Sequence, residues 1–294
     1  MSVATQAGPV KNVQIPWDEL EGIVGVKNVL RSREDLIPYG FDGTAAMSQL
    51  PDCVVFVENT GQVAAILKLA NRVGIDVVTR GSGTGLSGGS IPSPNCIVMC
   101  TVRMDRIVEL DKANLTMLVE PGVTTLAVAD AATAAGLFYP PDPASLESSS
   151  IGGNVAECAG GPRAFKYGTT KRYVLALEAV LPTGEIVRTG SKAVKNVVGY
   201  DLSQLLVGSE GTLAVVTKVT LRILRVPESV KTILAAFAST EAAGAAVSEI
   251  ISAGIIPAAV EMMDKLTIEA AEAAVHPNFP KAEAVLIVEL DGAQ

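Results

Sequence analysis

The segment Arg80-Gly-Ser-Gly-Thr-Gly-Leu-Ser-Gly-Gly89 places five glycines in ten residues. Alternating glycines allow positive φ and let a backbone approach a ligand closely. Successive N–H groups can then form a concave nest for an anion. Thr84, Ser87 and Ser90 add hydroxyl donors, so the chemistry indicated is phosphate binding. Gly83-Thr-Gly85-Leu-Ser-Gly88 also satisfies GxGxxG, but the setting does not suit a nicotinamide-binding βαβ unit. That unit needs a helix opening at the loop. Here the helical pattern lies upstream, at 60–73, while Gly89, Pro92 and Pro94 oppose a helix downstream.

Two further loops share this character. Ser150-Ile-Gly-Gly-Asn-Val155 and Ala159-Gly-Gly161 leave little side chain, so their binding groups must be backbone amides, Asn154 and hydroxyls. Such a surface suits a flat heteroaromatic ring edged with N–H and C=O groups. Gly208-Ser-Glu-Gly211 could close around the far end of the same ligand. A phosphate cradle, a ring cradle and a third loop together suggest a large dinucleotide. Arg80 has two readings, neutralising a phosphate or pairing with a carboxylate.

What is scarce narrows the chemistry. His276 is the single histidine, in an HPNFP turn that reads as solvated. A metal site built on two or three histidines, a Ser-His-Asp triad and a Cys-His pair at the glycine-rich middle are all disfavoured. No metal site is predicted. Cys53, Cys96, Cys100 and Cys158 contain no CxxC and read as reduced, mostly buried residues of an intracellular protein. The net charge of −8, without a basic run, argues against nucleic acid or anionic lipid as partner. The N-terminal residues lack the pattern of a secretion leader. No apolar run approaches the ~20 residues of a membrane span.

The elements that must position these loops follow from periodicity. Residues 1–47 form a mixed polar lead-in, with Pro16 and Trp17 placed to start a helix that 26–30 extends. Strand 53–57, a helix capped by Asn59-Thr60 and stopped by Gly74, and strand 75–79 make a strand–helix–strand unit. Strands follow at 96–101, 107–110 and 117–119, then a helix from Thr124/Thr125 through Ala135. Residues 139–168 are too rich in Gly, Pro and Ser for regular structure and too neutral for a linker, which predicts a long functional loop. Strand 174–181 and residues 185–189 form a hairpin, 201–206 is helical, and 213–224 is one long strand. Pro227 marks a boundary. Beyond it the pattern gives strand 230–237, helix 240–253, helix 262–274 and strand 285–290.

RGSGTGLSGG (80–89), PPDPAS (140–145), SIGGNVAECAGG (150–161), KYG (166–168) and VGSEGTLAVVT (207–217), in this order, resemble the FAD-binding domain of vanillyl-alcohol-oxidase-type (PCMH-type) flavoproteins. IPYG-FDG (37–43) and GIIPAAVEMMDKLTIEAAE (254–272) extend the likeness to FAD-linked D-2-hydroxyacid dehydrogenases of the glycolate oxidase type, over about residues 30–294. The resemblance implies an α+β fold. An FAD-binding domain of two α/β subdomains would occupy 48–226, and the beginning of an α+β cap, or substrate, domain 227–294.

The resemblance also implies roles for residues. Gly81, Ser82, Gly83, Thr84 and Gly85, with Gly88, Gly89 and Ser90, would hold the pyrophosphate. Pro143 and Ser145 would follow the ribityl and phosphate region. Gly152, Gly153, Asn154, Gly160 and Gly161 would surround the isoalloxazine and its linker, and Glu210, Gly211 and Val215 the adenosine end. Relatives that attach FAD covalently use a histidine in this domain; none occurs here and Cys158 is a weak substitute, so non-covalent FAD is expected.

The implied reaction oxidises a 2-hydroxy acid, glycolate first, to the 2-oxo acid. Electrons would pass to a second flavin-type subunit, an iron–sulfur subunit and the respiratory chain. D-lactate or D-2-hydroxyglutarate is the alternative substrate, and a non-catalytic FAD-binding subunit the alternative of another class. The expected location is cytoplasmic, not integral to a membrane, with peripheral attachment only through partners. The catalytic base and metal ligands would lie beyond residue 294, and no catalytic residue is assigned here. The basic residues of 163–172 are the nearest candidates to face the flavin.

Overall fold

The computed structural model describes residues 14–44 and 46–293. The first layer contains α1 (Trp17–Val24), β1 (Val29–Leu30), α2 (Arg33–Leu36), β2 (Cys53–Phe56), α3 (Thr60–Val73), β3 (Asp76–Arg80) and β4 (Cys96–Cys100). Its sheet runs β1-β2-β4-β3, with β2, β4 and β3 parallel. Both central strands are buried along their whole length, because successive side chains serve two cores. Cys53, Val55, Ile97 and Met99 pack towards α3 and α1, whereas Val54, Phe56, Cys96, Val98 and Cys100 pack towards Leu36 and Tyr39. Asn59 Oδ1 accepts from Gln62 N at the start of α3, and Gly74 ends it with φ 76°. Val63, Ile66, Leu67 and Leu69 are its buried face, each contributing about 1.5–3 kcal/mol.

The second layer is an antiparallel sheet, β5 (Ile107–Asp111), β6 (Thr116–Val119), β8 (Val174–Val180), β9 (Ile186–Gly190) and β10 (Val215–Arg222), after β7 (Leu137–Phe138) is set aside. Its order is β5-β6-β10-β8-β9. Val180 and Val215 join the α3 core, so α3 lies between the two sheets. The opposite face packs on α4 (Thr125–Ala134), α5 (Ile151–Glu157) and α7 (Leu202–Leu206). A short α6 (Ala164–Tyr167) follows α5, and β11 (Leu224–Arg225) pairs with β7. Residues 229–292 form a third layer with its own core. There β12 (Ser229–Phe237), β13 (Ala259–Asp264) and β14 (Ala284–Gly292) make an antiparallel sheet of order β12-β14-β13, covered by α8 (Thr240–Ser252) and α9 (Lys265–Val275).

Four local expectations change. The 139–168 stretch is not loop throughout. Ser150 Oγ accepts from Gly153 N and caps α5, and buried Ile151 and Val155, four residues apart, supply its core face. Residues 26–30 do not extend α1: Gly25, at φ 87°, ends it, and Val29-Leu30 pair with β2 as an edge strand. The 213–224 strand breaks at Ile223, where the chain leaves β10 to pair with β7. Met262–Asp264 belong to β13, since Met262 and Met263 pair with Leu286 and Val285. The helix begins only after Asp264, whose carboxylate caps it.

Candidate functional site

The glycine loop leaves the C-terminal end of β3, where open α/β sheets bind ligands. It meets three other segments that converge from the second layer. Gly81 lies against the Ser150 hydroxyl so closely that a Cβ there would overlap it. Gly152 donates to Pro121 O (2.8 Å), and a Cβ on Gly152 would sit 2.6 Å from Pro121 Cβ. The 208–211 loop docks on α5 through Gly208 N to Val155 O and Glu210 N to Ala156 O, both 2.9 Å. From the N-terminal side, Gly43 N donates to Gly85 O (2.9 Å), while Asp42 accepts from Thr44 N (2.8 Å) and Ser90 Oγ (3.4 Å).

These segments enclose a cleft of about 390 Å³. A second chamber of about 500 Å³ adjoins it and shares Thr79, Gly89, Glu210, Gly211, Ala214 and Val215. All the predicted positions line the first chamber except Gly88 and Gly161. Gly88 packs near Met47 and Ile91, and Gly161 lies flush against the Asp142 backbone. The sequence reading missed Thr101, Pro121, Ser149, Glu157 and Leu206, which also line the cleft. Pro121-Gly122 has only the composition of a turn, and tertiary packing alone brings it against α5. Ser149 directly precedes the Ser150–Val155 segment, and that adjacency was the available signal.

Asn154 is buried, and its amide donates to Thr125 Oγ1 (2.6 Å), which in turn contacts Ser149. Its first task is therefore to fix α5 against α4, which shapes the cleft wall. Among the described residues, Glu157 and Glu210 are the only ionisable side chains of the first chamber. The Glu157 carboxylate accepts from Ser87 Oγ through both oxygens (2.9 and 3.0 Å) and bridges the glycine loop to α5. Of the two expected roles of Arg80, pairing with a carboxylate is not found among the described residues. Its guanidinium turns behind the loop and donates to the Phe41 carbonyl (2.7 Å) and the Pro38 carbonyl (3.4 Å). The basic residues of 163–172 point elsewhere: Lys166 pairs with Asp291, and Arg163 lies 3.5 Å from Glu289 and 3.6 Å from Asp142. Cys53, Cys96 and Cys100 are buried, and burial pushes the Cys53 thiol up to about 12 and the Cys96 thiol up to about 11. His276 is exposed, at the C-terminus of α9.

A backbone-lined cleft in two joined chambers, between a parallel sheet and an antiparallel one, defines a dinucleotide-binding α+β protein. Comparison with known proteins specifies the dinucleotide. Residues 51–190 match the FAD binding domain family, and residues 226–294 match the C-terminal domain of FAD linked oxidases. The chain belongs to the FAD-linked oxidases of PCMH type, whose cofactor is FAD. It is 43% identical over 276 residues to glycolate oxidase subunit GlcD of Bacillus subtilis (strain 168), covering 94% of this chain and 59% of that protein. It is 44% identical over 219 residues to a D-lactate dehydrogenase of Archaeoglobus fulgidus, covering 74% and 49%. A solved alkyldihydroxyacetonephosphate synthase superposes with a TM-score of 0.82 at 20% identity, over 98% of this chain and 59% of that one. That likeness concerns the fold. The chain thus spans about half to three-fifths of the length of these relatives.

The residues present fit FAD. Glycine stands at the close approaches of Gly81 to Ser150 and of Gly152 to Pro121, and Gly81, Gly83, Gly85, Gly89, Gly152, Gly153 and Gly160 line the cleft, so backbone is available to a diphosphate.

Proposed function

We propose that this chain is the FAD-binding part of an enzyme oxidising a 2-hydroxy acid, glycolate in the first instance, to its 2-oxo acid. The observation that carries this reading is the continuous glycine-lined cleft in a chain that is 43% identical to a glycolate oxidase subunit. FAD, when bound, supplies the acceptor for the hydride that leaves the substrate Cα. The chain's own residues bind and orient. Amides of Gly81–Gly85, Gly89 and Ser90, with the Ser82 and Thr84 hydroxyls, hold the diphosphate. Pro143 and Ser145 line its approach to the ring. Gly152, Gly153, Asn154 and Gly160 form the wall for the ring, and Glu210, Gly211 and Val215 the adenosine end. Gly88 and Gly161 serve these loops by close packing.

The hydroxyl proton needs a base. Glu157 is engaged by Ser87, Glu210 lies on the 208–211 loop, and neither is assigned that task. FAD is held without a covalent bond: no histidine lines the cleft, and the Cys158 sulfur faces Thr169 (3.2 Å). Electrons leave through a second flavin-type subunit and an iron–sulfur subunit, and the protein works in the cytoplasm, on the inner face of the membrane through those partners. No helix among the described residues is long and apolar enough to cross a membrane.

The test is reconstitution of the whole enzyme containing this chain with FAD, and anaerobic mixing with glycolate, D-lactate or D-2-hydroxyglutarate. Loss of the visible flavin band fastest with glycolate is expected. Faster loss with D-lactate or D-2-hydroxyglutarate would reassign the substrate. Uptake of FAD without bleaching by any hydroxy acid, partner chains included, would favour a non-catalytic flavin subunit. A chain that refuses FAD would end all these readings.

A further inference from the structure

Arg80 closes β3 and is 6% exposed, yet its guanidinium forms no ion pair with a carboxylate among the described residues. Its donors go to neutral carbonyls of Phe41 and Pro38, and it lies 5.7 Å from the centre of the Tyr39 ring. The apex of the glycine loop rests on it: Gly83 has φ 75°, and a Cβ there would overlap the guanidinium. Asp42 is the nearby carboxylate, but it accepts from Thr44 N and Ser90 Oγ. A buried charge is costly unless an opposite charge compensates it. Burial accordingly pushes the Arg80 pKa down, with Cys100, Asp42 and Tyr39 acting against the shift. The fold thus holds a buried cation, in ion pair with no carboxylate among the described residues, behind a loop whose residues Gly81–Gly85 line the cleft.

We propose that Arg80 is the fixed counter-charge of the diphosphate loop, a positioning residue that acts through the Gly81–Gly85 backbone and makes the cleft select a diphosphate-bearing ligand over a neutral flavin. This rests on the FAD reading of the cleft. The two carbonyl bonds hold the guanidinium behind the loop, so it acts by charge rather than by contact with the ligand. The loop's amides and the buried cation favour the same anion, and in a poorly hydrated site their attraction is weakly screened. A carboxylate partner would have cancelled this field, and the wild-type geometry avoids one.

The experiment titrates apoprotein with FAD, ADP and riboflavin by calorimetry in wild type, Arg80→Met and Arg80→Lys, alongside thermal melting of each apoprotein. Arg80→Met is expected to weaken FAD and ADP by about ten-fold or more while leaving riboflavin within about three-fold. Melting of its apoprotein checks that the variant is folded, since Met leaves the Phe41 and Pro38 carbonyls without this donor. Arg80→Lys keeps the charge and should stay within about three-fold of wild type for FAD. Equal losses in Lys and Met, or equal losses for riboflavin and ADP, would show a packing strut and overturn the proposal. Arg80→Met binding FAD like wild type would overturn it alone. Wild type binding neither FAD nor ADP would overturn both this proposal and the FAD reading. If Arg80→Met does not fold, Arg80→Lys decides through its ADP-to-riboflavin ratio: retention of the wild-type ratio supports the proposal and loss of it overturns it.

Discussion

Two neighbouring tyrosines show how little a residue type says before its partners are known. Tyr139 and Tyr173 meet edge to face, with ring centres 5.8 Å apart, inside the core under the antiparallel sheet. The Tyr173 hydroxyl donates to the Tyr167 carbonyl (2.8 Å), whereas the Tyr139 hydroxyl is buried with no partner among the described residues. Burial raises both phenol pKa values, so both stay protonated. A buried hydroxyl without a partner costs about 1–3 kcal/mol, and a satisfied one contributes about 1 kcal/mol. Tyr139→Phe should therefore leave stability unchanged or raise it by about 1 kcal/mol, and Tyr173→Phe should lower it by about as much. Urea midpoints of the two variants check this. A large loss for Tyr139→Phe would show that a bound water completes that hydroxyl. The same distinction applies to Asn154: its type suggested ligand recognition, and its geometry commits its amide to Thr125.

Elements in this chain were legible where one local pattern decided them. The α3 cap at Asn59, its apolar stripe and its Gly74 stop all act within the helix, and the helix is where they place it. Legibility failed where a long-range partner decided: Val29-Leu30 became strand because β2 offers an edge, and Met262–Asp264 because β14 does. In 139–168, composition suppressed a helix that Ile151 and Val155 could support once a core existed to receive them. The glycine loops were legible because a close backbone approach demands glycine whatever surrounds it. Their convergence on Pro121 was not, since it depends on how the two sheets pack. Glu178 on β8 is an element-scale counterpart. Its carboxylate accepts from Thr60 at the start of α3 (2.9 Å), Lys218 on β10 (2.8 Å) and Arg188 on β9 (2.9 Å). Burial acts to raise its pKa, but bonds from Lys218, Thr60 and Arg188 outweigh that and hold it at about 2. The folded pKa lies below the unfolded value, so this stability is present above about pH 4.5 and is lost as pH falls towards 2. Glu178→Gln should cost about 2 kcal/mol at pH 7 and flatten the decline of stability between about pH 5 and 2. Urea unfolding at several pH values measures both, and a decline equally steep in the variant would place its cause elsewhere.

At the scale of the whole chain, the third layer has its own core, so its position relative to the cleft depends on what joins it to the rest. The junction is polar and runs from α6 to the end of β14. Lys166 Nζ donates to the Asp291 carbonyl (2.6 Å) and pairs with its carboxylate, and Tyr167 Oη donates to Asp291 Oδ2 (2.6 Å). Arg163 spans Glu289 and Asp142 and lies over the Phe138 ring. The Asp291 side chain is only 3% exposed, so removing it strands two donors in a poorly hydrated place. The same α6 region continues from Gly160, and Asp142 precedes Pro143, both at the cleft wall. The third layer is thus held beside residues that continue into the cleft wall, Gly160 and Pro143. Asp291→Ala should loosen the junction by about 1–3 kcal/mol without unfolding either side. Hydrogen exchange followed by mass spectrometry should show faster exchange at 163–168, with protection kept in β12, β13 and β14 because their core does not include Asp291. Unchanged exchange at 163–168 would mean that packing alone sets the docking. Loss of protection throughout the third layer would mean that its folding depends on the junction.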